Sequence, residues 1–218
     1  MVRAAFASIV LLATVVGCAA PDQPSERKQV LRPGPATGQA QDAIKGGYTD
    51  PDDTATVGIF ESSSGGICSG SLLAPNVVLT ARHCVSPTFD DEEGVNCNVT
   101  SFGPAYSPSG FYVTTDTELG FRSTIHTARE VALLPVDDGL CGQDLAILIL
   151  DDLVPTSEAT PYVPRVDSPL VAGEEYYAVG YGNTGENQND AGLRRRRDTL
   201  FVSCAEQGCN EFGVEDTE

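Results

Sequence analysis

Apolar positions along this chain fall into short, β-branched runs separated by turn residues, and no stretch sustains a helical period. Thr54 to Glu61 predicts a strand, Ser62 to Gly66 a hairpin turn, and Ile67 to Leu73 the paired strand. Pro75-Asn76 signals a turn before Val77-Val78-Leu79-Thr80, a further strand. Strands are also predicted over Val95 to Phe102, Gly110 to Thr115, Arg129 to Pro135 and Thr199 to Cys204. Leu145 to Leu150 is a continuous apolar run and reads as a buried strand. Asp144 directly precedes it, and a carboxylate there is costly unless paired and hydrogen-bonded. Pro155 to Pro169 reads as an extended crossover between two halves. The predicted fold class is all-β.

The N-terminus departs from this pattern. Met1 to Cys18 carries one charge, Arg3, then an apolar run from Ala4 to Val16 too short to span a bilayer, which reads as a signal peptide over residues 1–18. It ends in Val15-Val16-Gly17-Cys18, which resembles a bacterial lipobox with Cys18 as the lipidated residue. The competing reading is an ordinary secretory signal cleaved near Ala19 or Ala20. Either way the protein is expected to be exported, as an outer-membrane or cell-surface lipoprotein or as a secreted protein. Residues 19–43, rich in Pro, Gln, Gly and charge, read as a disordered linker or pro-segment. Export permits disulfides, and with Cys18 set aside six of the seven cysteines remain for them. With 31 acidic against 13 basic residues, a net charge of −18, the chain lacks the basic balance that nucleic-acid binding needs.

The chemistry concentrates in residues 68–84, which hold His83, one of the two histidines, with Cys68 and Cys84 at their ends. A bridge between those cysteines would close a loop of roughly 17 residues, stabilise by about 3 kcal/mol, and clamp the backbone beside His83. A catalytic base needs such a fixed position.

This stretch resembles the catalytic-histidine segment of the trypsin/chymotrypsin-like serine peptidases, in which Cys-x-Gly-Ser-Leu leads to an apolar strand ending in Leu-Thr-Ala-x-His-Cys. Arg82 departs from the small residue usual there. Asp144-Leu145-Ala146-Ile147-Leu148 resembles the segment whose aspartate orients the histidine, with Gln143 replacing a frequent asparagine. Ile44-Lys45-Gly46-Gly47 resembles the tetrapeptide before which the family's pro-segment is cut, and Ala178-Val179-Gly180-Tyr181-Gly182 the strand opening its second barrel. The resemblance implies two antiparallel Greek-key six-stranded barrels over residues 44–218, the first at 44–154 and the second, incomplete, at 155–218. It implies a serine endopeptidase with His83 as general base and Asp144 as its orienting partner. Protein or peptide is the expected substrate, and no metal or organic cofactor is expected. Ile44 would become the mature N-terminus, released by an activating protease that accepts the small residue Ala43. Cys97 and Cys141 both lie in the first half and are expected to pair. Cys204 and Cys209 are close enough for a local bridge, and either could instead pair beyond this sequence.

The family's nucleophile motif, Gly-Asp-Ser-Gly-Gly, does not occur in the sequence, and Ser69 and Ser71 match family residues that are not nucleophiles. A truncated record of an active peptidase is the favoured expectation, because a half barrel leaves unpaired strand edges. The rival is an inactive, peptidase-like surface lipoprotein acting as a binding module. A third reading gives Asp90-Asp91-Glu92-Glu93 to calcium, but the spacing lacks an EF-hand pattern and a solvated acidic loop is preferred. His126 has no motif around it and is expected at the surface without a catalytic role. Arg194 to Arg197 is expected to be a solvated strand start or a loop open to processing.

Overall fold

The computed structural model describes residues 44–89, 100–135, 142–185, 188–203 and 205. Among these residues, eleven strands and two short 3₁₀ turns account for the regular structure. In chain order the strands are β1 (Tyr48–Thr49), β2 (Thr56–Glu61), β3 (Gly66–Ala74), β4 (Val77–Thr80), β5 (Thr88–Phe89) and β6 (Ser101–Phe102). They continue as β7 (Phe111–Thr114), β8 (His126–Leu133), β9 (Ala146–Leu150), β10 (Glu175–Gly180) and β11 (Arg195–Phe201). β2, β3, β4, β9, β8 and β7 pair antiparallel in that order and close into a six-stranded barrel. β1, β11 and β10 form a three-stranded sheet beside it, the part of the second barrel that the described residues hold.

The barrel encloses Val57, Ile59, Leu72, Val78, Phe111, Val113, Leu148 and Leu150, each at most 1% exposed. On β9 the inward residues Ala146, Leu148 and Leu150 alternate with half-buried Ile147 and Ile149, the period-2 pattern of a strand with one packed face. β2 breaks that rule, since all six of its residues are buried. Val57 and Ile59 face the barrel interior. On the other face Phe60 packs with Leu119 and Tyr181, and Gly58 lies so near the Tyr181 ring that a Cβ would sit 2.9 Å from it. β2 is therefore the wall shared by the barrel and the second sheet, which explains its uninterrupted burial.

Arg194 pins this joint. It is fully buried and donates to the carbonyls of Asp50, Pro51, Thr56 and Thr115 and to the Tyr181 hydroxyl, five acceptors in all. Arg195, 8% exposed, donates to the Gly182 and Asp190 carbonyls and pairs with the Asp190 carboxylate at 3.1 Å. The expectation of a solvated arginine run is thus corrected: the first two arginines are interior. Their positive charge is tolerated because carbonyl oxygens converge on it. The second pair is more open. Arg196 lies over the Tyr177 ring at 3.6 Å and pairs with Asp53 and Asp198, and Arg197 donates to the Lys45 carbonyl.

Other expectations shift at their boundaries. The last predicted strand begins four residues early, at Arg195, and ends at Phe201, because it pairs with β1 and β10 along the arginine run. β8 begins at His126 rather than Arg129. His126 is not at the surface: it is 8% exposed, and its Nε2 lies 2.9 Å from the Glu158 carboxylate. The partner sits in the crossover after β9, which folds back over the barrel with Val154 and Ala159 in the core cluster. Of the strand predicted over Val95 to Phe102, only Ser101–Phe102 falls in a described strand.

Candidate active site

β3 and β4 run antiparallel across the tight turn at Pro75-Asn76, and β4 delivers the chain into a 3₁₀ turn, Arg82–Cys84. The turn is closed by backbone bonds from Val85 and Ser86 to the Arg82 carbonyl, each 2.9 Å. A disulfide joins Cys84 back to Cys68 on β3. His83 is thus held in a one-turn element whose far end is covalently tied to the barrel wall.

Asp144 stands just before β9, the strand paired with β4 through Thr80↔Ala146. That pairing brings residues 61 positions apart in sequence into contact. One Asp144 oxygen accepts the His83 backbone N–H at 2.8 Å, and the other lies 2.7 Å from His83 Nδ1. The two side chains are 30% and 32% exposed, half-buried at the rim of the barrel. With Nδ1 facing a carboxylate, the neutral ring carries its proton there and offers the Nε2 lone pair. The arrangement can take a proton from a group at Nε2 while the carboxylate offsets the charge of the imidazolium formed.

An open cleft of about 290 Å³ adjoins Asp144 and is lined by Thr56, Ser69, Ser71, Thr80, Leu145 and Val179. Ser69 is committed elsewhere: its hydroxyl accepts the Tyr181 backbone N–H at 2.8 Å, and its carbonyl accepts the Thr80 hydroxyl. The hydroxyls of Thr56 and Thr80 and the part played by Val179 were not foreseen from sequence. Only the alternation of Ser69 and Ser71 on one face of β3 hinted at a polar wall.

The remaining sequence-derived sites separate from this pair. Ile44 lies beside Gly47 and Gly180, opening a segment that runs along β11 through Tyr48↔Arg196. Gly46, at φ 75°, supplies the left-handed residue of its turn. Cys18, Cys97, Cys141, Cys204 and Cys209 lie outside the described residues, as does the acidic stretch Asp90 to Glu93. Ligand atoms of Cys68, His83 and Cys84 lie within 4.8 Å of one another, but both sulfurs are consumed by the disulfide, which leaves one imidazole and no metal cage.

Comparison with known proteins agrees with this architecture. No curated protein sequence matches the chain. Among solved structures it is similar to the scabies mite inactivated protease paralogue S-D1, with a TM-score of 0.54 and 16% identity. That similarity covers 70% of this chain and 60% of the other, so the chain spans three-fifths of that neighbour's length. Identity this low speaks for the fold alone. A family model described as Trypsin matches residues 44–211, the whole interval from the Ile-Lys-Gly-Gly segment through β11. The chain belongs to the trypsin family.

Proposed function

We infer that the protein is a serine-type endopeptidase acting on protein or peptide substrates by acyl transfer, with His83 as general base and Asp144 as its orienting carboxylate. The observation that carries this reading is that one carboxylate accepts hydrogen bonds from both the backbone N–H and the ring Nδ1 of His83. A histidine in a disulfide-tied turn, fixed at two points by a carboxylate that lines a cleft, is pre-organised for proton transfer. The nucleophile and oxyanion donors are assigned to a Gly-Asp-Ser-Gly-Gly segment that these 218 residues do not contain. Labelling with a fluorophosphonate separates the outcomes. The 218-residue chain should remain unlabelled, and a product carrying the serine should label and lose labelling on His83→Ala. A serine-bearing product that stays unlabelled would remove the enzymatic reading.

A second reading is an inactive peptidase-like surface lipoprotein that binds partners. The inactivated status of the scabies mite paralogue is compatible with it. A verified stop codon directly after codon 218 would select it. Both readings take Cys18 as the lipid anchor and Ile44 as the N-terminus released by an activating protease. Metabolic fatty-acid labelling and N-terminal sequencing of the mature protein test these in turn.

A further inference from the structure

Arg82 is a long cationic side chain where the resembled motif carries a small one, directly before His83 and 4% exposed. Its guanidinium carbon lies 4.5 Å from the centre of the Phe102 ring. Phe102, also 4% exposed, ends β6, which pairs with β5 through Thr88↔Phe102 and Phe89↔Ser101. The Pro87 carbonyl accepts Gly103 N–H and the Val85 carbonyl accepts Tyr106 N–H, each at 2.8 Å, so this short ribbon is sewn to the chain leaving the histidine turn.

We propose that Arg82 is a positioning residue for His83: its guanidinium, packed on Phe102, fixes the rotation of the Arg82–Cys84 turn so that the imidazole meets Asp144. The disulfide restrains the turn only on the Cys84 side. On the other side the chain is held as far as Thr80, which pairs with Ala146, and the Arg82–Phe102 contact adds the restraint on rotation between that point and Cys84. A desolvated cation–π contact is strong enough to hold a single turn. The planar guanidinium stacks on a ring face in a way an ammonium does not. The proposal rests on the peptidase reading of His83 but can be tested without turnover.

The test is proton NMR of the 218-residue chain, following the His83 Nδ1 proton and the exchange of its backbone N–H. His126 serves as an internal reference in the same spectra. The wild-type chain should show a downfield, protected Nδ1 proton on His83. Arg82→Met and Phe102→Leu, each of which keeps apolar volume, should each speed exchange at His83 about tenfold and weaken that resonance. The double variant should be no worse than either single one, as expected for two partners of one contact. Arg82→Lys should restore part of the protection. His126 should be unmoved throughout. Unchanged His83 signals in both single variants, or changes at His126 as large as those at His83, would overturn the clamp and leave the peptidase reading standing. Absence of the downfield proton from the wild-type chain would defeat both.

Discussion

Asp144 makes two hydrogen bonds to one residue, and they act on different freedoms. The bond to the backbone N–H fixes where His83 sits, and the bond to Nδ1 fixes how its ring is turned. Asp144→Asn keeps the shape but cannot accept both, so one donor of His83 is left without its acceptor. In a form of the protein that carries the serine, kcat for peptide hydrolysis is expected to fall about 10⁴-fold. A fall of less than about tenfold would exclude Asp144 from the role. Tyr181 gives a second prediction. Burial pushes its hydroxyl up to about 12, against the opposing pull of Arg194. Its hydroxyl donates to the Asp116 carbonyl and accepts from Arg194, so the fold favours the neutral phenol. Because the folded value lies above the unfolded one, the stabilisation is complete below about pH 10 and is lost as pH rises toward 12. Urea midpoints across that window should fall more steeply for wild type than for Tyr181→Phe. How much was legible at this scale depends on where a residue's partner lies. His83 and Asp144 each sit in a distinctive local motif, so their pairing could be expected before any coordinates. His126 has no such surroundings, and its partner Glu158 is 32 residues away in a crossover whose path only the folded chain defines.

Among the elements, β11 shows what an alternation argument misses. A polar run was expected to face water, and a strand normally hides every second side chain. Arg194, just ahead of β11, and Arg195, its first residue, are adjacent yet both buried, because the Asp50–Thr56 segment, the β7 end and the Asn183–Asp190 loop supply oxygens from both sides. The four carbonyls that accept from Arg194 lie 79 to 144 residues away in sequence, so no local pattern announces them, whereas Asp190 is only five residues from Arg195. The contrast can be measured within one run of identical residues. Arg194→Met strands several buried carbonyls and is expected to cost about 3–5 kcal/mol. Arg197→Met, on an exposed side chain, should cost no more than about 0.5 kcal/mol. Equal denaturation midpoints for the two variants would contradict the burial assigned here. β2 teaches a related lesson. Its strand identity was readable from Thr-Val-Gly-Ile-Phe, but its role as a wall between two layers was not, since Gly58 matters for the ring of Tyr181, which lies beyond the crossover. β3, β4 and β9 were read nearly to the residue because turn signals or an apolar run mark their ends.

For the whole molecule, the closed barrel and the three-stranded sheet differ in completeness. Every barrel strand has two neighbours, so its backbone groups are satisfied within the ring. Among the described residues β10 is the margin of its sheet, with Tyr176 and Tyr177 about half exposed on it. The all-β class and the six-stranded first barrel were foreseeable from short runs and turns, together with the histidine motif. The incomplete second barrel was expected as well, but not which strands would form its sheet among the described residues, because strand runs alone do not state how many partners a sheet will recruit. All six barrel strands, and with them both His83 and Asp144, lie between Thr56 and Leu150. The crossover through Tyr162 then caps the ring, its N–H donating to the Leu72 carbonyl at 2.8 Å. During biosynthesis, then, the barrel that carries His83 and Asp144 can be finished while β10 and β11 are still inside the ribosome. Nascent chains stalled once Tyr162 has cleared the exit tunnel should already resist protease across residues 56–150, so that the second sheet is laid against a finished barrel.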